Sequence, residues 1–97
     1  MPCDPSIVRR AGFLVLFAAV RAAMRGDNEL REALEMLALR LDLLASLDMP
    51  VTLDPEVERI IRKIGNRISD GLEWVMNEVC DMLKCMGLTC KPSGGTS

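Results

Sequence analysis

Leu30, Leu34, Leu37, Leu41 and Leu44 recur at intervals of three and four residues, which places all five on one face of an α-helix. Met36, Leu43 and Leu47 widen that stripe. Asp27 supplies a capping carboxylate at its start. Pro50 ends it near Asp48, because proline has no N–H to donate and disfavours helical geometry at Met49. A loop of about five residues follows, short enough to make the next helix an antiparallel neighbour.

The segment before it reads as a helix from Asp4-Pro5 to about Arg25. Proline at the first helical position loses no hydrogen bond, and Gly26 supplies the left-handed residue that closes the C-terminus. Phe13, Leu14, Val15, Leu16, Phe17 and Val20 make this helix apolar around most of its circumference, so it calls for cover on most sides. Arg9 and Arg10 followed by the apolar run 11–20 also resemble a leader, with Val20-Arg21-Ala22 as the small-residue pattern. A buried first helix is the preferred reading of residues 1–22. Ten apolar residues fall well short of the ~20 that cross a bilayer, so no transmembrane span is expected.

Asp54-Pro55-Glu56 repeats the starting signature. Val57, Ile61, Ile64, Ile68, Leu72, Val75, Val79 and Leu83 then hold one apolar face almost to Gly87. Read as one helix, this segment has about 33 residues and a length of roughly 50 Å, against about 30 Å for each of the first two. The spacing therefore predicts an all-α bundle of three helices with a long third. Four helices result if the chain breaks between Gly65 and Gly71, where Asp70 and Glu73 resemble a capping pair. One bundle domain is expected over residues 1–90, with a flexible tail over 91–97 rich in Gly and Ser.

Composition agrees with helices packed on aliphatic side chains: the chain is 49% hydrophobic but only 3% aromatic, with seven Met and no Tyr. It has no His, so neither a Ser-His nor a Cys-His nucleophile can be assembled. Its carboxylates read as caps and solvated charges, as in the four-spaced pairs Arg31/Glu35 and Glu58/Arg62. No glycine-rich phosphate loop is present, so the expectation is a non-enzymatic protein without a cofactor.

Four cysteines, Cys3, Cys80, Cys85 and Cys90, permit two disulfides in three connectivities. The spacing of five among the last three suits zinc poorly, since structural sites use closer pairs. In a three-helix arrangement Cys3 and Cys90 lie at opposite ends; with a fourth helix those ends meet. Neither compartment nor localisation follows from the sequence.

Arg59, Arg62, Lys63 and Arg67 form the only concentrated charge, a basic face on the third helix that offers contacts to phosphates or to an acidic partner. A solvated face is the simpler reading, because acids flank it and the net charge of the chain is −2. Phe13, Phe17 and Trp74, with Met76, Met82 and Met86, are the interface candidates. The leading expectation is a helical interaction or self-assembly module that associates with itself as a homo-oligomer or with another helical protein. A small nucleic-acid-binding regulator and an exported, disulfide-stabilised helical protein are the alternatives.

Overall fold

The structure is a computed structural model that describes residues 2–68, 71–88 and 90. Among the described residues it contains four α-helices: α1 (Pro5–Met24), α2 (Asn28–Ser46), α3 (Pro55–Gly65) and α4 (Glu73–Met82), the last continued by a short 3₁₀ turn, Leu83–Met86. Among the described residues the only β-type pairing is an isolated antiparallel bridge between Cys3 and Val51. The proposed tail, 91–97, and the suggested cap at Asp70 lie outside the described residues.

The long third helix of the sequence reading is replaced by two short ones. α3 stops at Gly65, and Gly71 stands at φ +95°, in the left-handed region that glycine enters without strain. The apolar spacing runs unbroken through this break because α3 and α4 bury their stripes in the same core. Val57, Ile60 and Ile64 enter it from α3, and Val75, Met76 and Val79 from α4. A three-to-four period records which residues face inward, and two short helices satisfy it as well as one long one.

α1 and α2 form an antiparallel pair, with α3 packed against α2 and α4 against α1. At one end of the bundle Gly71 lies against the Arg25 guanidinium, and Arg67 reaches Glu29 at 2.8 Å. At the other end Cys3, at the foot of α1, meets Val51 and Cys85. The chain therefore runs up, down, up and down.

Local chemistry explains the starts. Asp27 accepts from the Leu30 N–H at 3.2 Å and Asp54 from the Val57 N–H at 3.3 Å. Asp4 departs from this pattern: its carboxylate takes the Ser6 hydroxyl at 3.1 Å and makes no side-chain cap to the backbone. Asp54 does more than cap, because Arg40 of α2 grips both of its oxygens, at 2.8 and 3.1 Å, and so fixes the start of α3 against α2.

Two disulfides close the lower end, Cys3–Cys85 and Cys80–Cys90, with Cα separations of 5.1 and 5.9 Å. The first joins residues 82 apart in sequence and the second residues 10 apart. By chain entropy, a loop of the first size restrains the unfolded state by on the order of 4–5 kcal/mol and one of the second by about 3 kcal/mol. Replacing Cys3 and Cys85 by Ser should therefore lower the urea midpoint more than replacing Cys80 and Cys90. The reverse order would show that the short loop holds the more important contact.

The Arg40 guanidinium holds the Asp54 carboxyl below its ordinary value, chiefly through their hydrogen bonds. A carboxyl whose pKa is depressed on folding stabilises the fold above its unfolded value, and that contribution is lost as pH falls through the folded value. The stability advantage of the native protein over Asp54→Asn should accordingly be full at neutral pH and shrink below about pH 4. Thermal melts of both proteins from pH 7 down to pH 3 will read this directly.

Candidate interaction surface

α1 carries its small side chains inward and its large ones outward. Ala11, Ala18, Ala19 and Ala22 are buried with Val8, Val15 and Gly12, whereas Phe13, Leu16, Phe17, Val20 and Met24 face solvent. Phe13 is 64% exposed and Met24 75%. The outward residues are spaced three and four apart, so they form one stripe along the helix. The cover that the sequence calls for on most sides of this helix is provided on one side only.

The inward alanines explain the geometry. Small residues let the α1 backbone approach α2 closely, and a Cβ placed on Gly12 would meet the Leu41 Cβ at 3.8 Å. α2 then fills the core with Leu30, Leu34, Leu37 and Leu41, all essentially without solvent contact. The larger α1 side chains are left for the other face.

α2 repeats the arrangement. Met36, Leu39, Leu43 and Leu47 form a second stripe, exposed and separate from the buried leucines. The sequence reading counts Met36, Leu43 and Leu47 as a widening of the core stripe and overlooks Leu39, which is 71% exposed. Their own spacing of three, four and four was the available signal.

Between the two stripes lies a groove of about 210 Å³, floored by Gly12 and Ala38 and lined by Phe13 and Leu16 from α1 and Leu39 from α2. Arg9, Glu35 and Asp42 border it. On its other flank the α1 stripe continues onto α4, where Trp74 meets Phe17 with ring centroids 6.2 Å apart, tilted at 56°. Trp74 is 55% exposed. The apolar surface thus passes from α4 across α1 to α2.

Of the interface candidates read from sequence, Phe13, Phe17 and Trp74 lie on this surface. Met76 and Met86 do not: both are buried in the core, because the turn after α3 rolls α4 and the 3₁₀ segment inward. Met82 is half-buried and packs against the core.

The basic face is also altered by the break. Arg59 and Lys63 lie on α3, but Arg67 falls beyond its end and turns to Glu29 and Asp27 at the start of α2. Arg59 pairs with Glu56, which raises the guanidinium pKa and lowers that of the carboxyl. Arg62 stands 3.7 Å from Glu58. Lys63 alone of the four makes no ion pair among the described residues.

All four cysteines are joined in pairs, and no described helix is long and apolar enough to cross a membrane. Residues exposed to this degree contribute little to folding of the single chain, so Phe13→Glu and Phe17→Glu should each change stability by less than about 1 kcal/mol at concentrations low enough to keep the protein monomeric. A loss of several kcal/mol in chemical denaturation would place these rings inside the packed structure. Searches of protein-family models, curated proteins and solved structures find no match to this chain.

Proposed function

We propose that this protein is a non-enzymatic helical interaction module that docks on another helical protein surface, its own included, through the outer face of α1 and α2. The observation that carries this reading is the orientation of α1. A helix that buries alanines and exposes two phenylalanines sacrifices burial within its own fold, where turning the large side chains inward would gain about 1.5–3 kcal/mol for each. Such a face is stable in water only at a cost that association removes. Trp74 at its edge is of the residue type enriched among binding hot spots.

A nucleic-acid regulator working through the basic residues around α3 is the less favoured reading, because internal carboxylates already compensate Arg59, Arg62 and Arg67. The disulfides are compatible with an exported protein, and an interaction module serves in that setting equally well.

The double variant Phe13→Asp/Phe17→Asp tests the proposal. The native protein should either self-associate or, when diluted to monomer, bind an apolar fluorescent dye. The variant should do neither while keeping the native far-ultraviolet circular dichroism. Equal mass and equal dye signal in both proteins would overturn the reading.

A further inference from the structure

We infer that the occupant of the α1/α2 face is a second copy of the chain, related by a two-fold axis parallel to the helices that lays α1 of each copy along α2 of the other. The inference rests on the interaction module proposed above and names its partner. It starts from charge. α1 contains Arg9, Arg10 and Arg21 and no acid, and none of these three makes an ion pair among the described residues. α2 carries exposed Glu32 and Asp42, which are equally without ion-pair partners there. Among the described residues, one face therefore sets arginines without ion-pair partners on one helix beside carboxylates without them on the next, which is the self-complementarity an isologous dimer requires.

Register supports the same arrangement. Because α1 and α2 are antiparallel and Gly12 lies against Ala38 and Leu41, Phe13 is level with Leu39, and Arg9 borders the same groove as Asp42 at nearly the same level. A two-fold axis along the helices preserves these levels while exchanging α1 for α2 across the interface. Phe13 of each copy then falls on Leu39 of the other, and Arg9 on Asp42, every contact occurring twice. An anionic lipid surface fits less well, because it would meet the carboxylates of α2 along with the arginines of α1.

The test uses the full chain and exploits the two-fold axis. Arg9→Asp places like charges opposite each other twice in a homodimer, as does Asp42→Arg, so each variant alone should dimerise about tenfold or more weakly than the native protein. Mixing the two variants restores opposite charges at both contacts. The mixture should therefore form a heterodimer of near-native affinity, measured by light scattering across a dilution series and by subunit-specific mass. If Phe13→Glu dissociates the native dimer but the charge variants neither weaken nor rescue it, the interaction face stands and this two-fold arrangement is overturned. A native protein that remains monomeric at every concentration also overturns it. If that monomer binds phosphatidylglycerol vesicles and Phe13→Glu abolishes the binding, a lipid surface is the occupant.

Discussion

Cys3 is the point on which the arrangement of the bundle depends. Its backbone donates to the Val51 carbonyl at 2.7 Å and accepts from the Val51 N–H at 2.8 Å, and its sulfur is bonded to Cys85. A residue two positions before α1 thereby fastens three segments: the foot of the first helix, the loop leading into α3, and the turn that ends α4. All three lie at the lower end. The second disulfide adds the chain at Cys90 to the same end, so both covalent ties hold the side of the molecule where the helices enter and leave.

At the opposite end the ties are electrostatic and steric. Arg67 joins the end of α3 to the start of α2, and the Arg25 guanidinium lies against Gly71, where a Cβ would come within 2.8 Å of its Nη2. Between the two ends, Arg40 and Asp54 align α3 with α2. With α3 and α4 placed in this way on one side of the α1/α2 pair, the molecule has principal extents of 36 × 30 × 18 Å, flattened like two layers of helices. The fold thus buries one side of the pair completely and leaves the other as a broad apolar face. Two short helices can cover only one side of two long ones.

That division gives the surface its chemistry. A close α1/α2 approach needs small residues, so alanines occupy the inward face of α1 and its remaining apolar content must point away. An apolar stripe with arginines that make no ion pair among the described residues then lies beside a second apolar stripe with carboxylates of the same kind. Hydrophobic burial would supply the drive to associate, and the charges at the margins would select orientation.

The sequence by itself determined the helical class, the start of each of the first three helices and the end of the first two, because proline, glycine and aspartate act on the backbone locally and leave their mark at fixed positions. It also showed a first helix apolar around most of its circumference. Tertiary structure decided the rest. Periodicity could not distinguish one 33-residue helix from α3 and α4, since both bury the same positions. It could not choose between the alanines and the phenylalanines of α1 as the inward face, because that choice depends on how closely α2 approaches. Because the chain breaks after α3, Met76 and Met86 read as surface residues and are core, and Arg67 reads as part of a basic helix face and is a tie between helices. The cysteine pairing required the first of these outcomes, since only a turn after α3 returns Cys85 to Cys3.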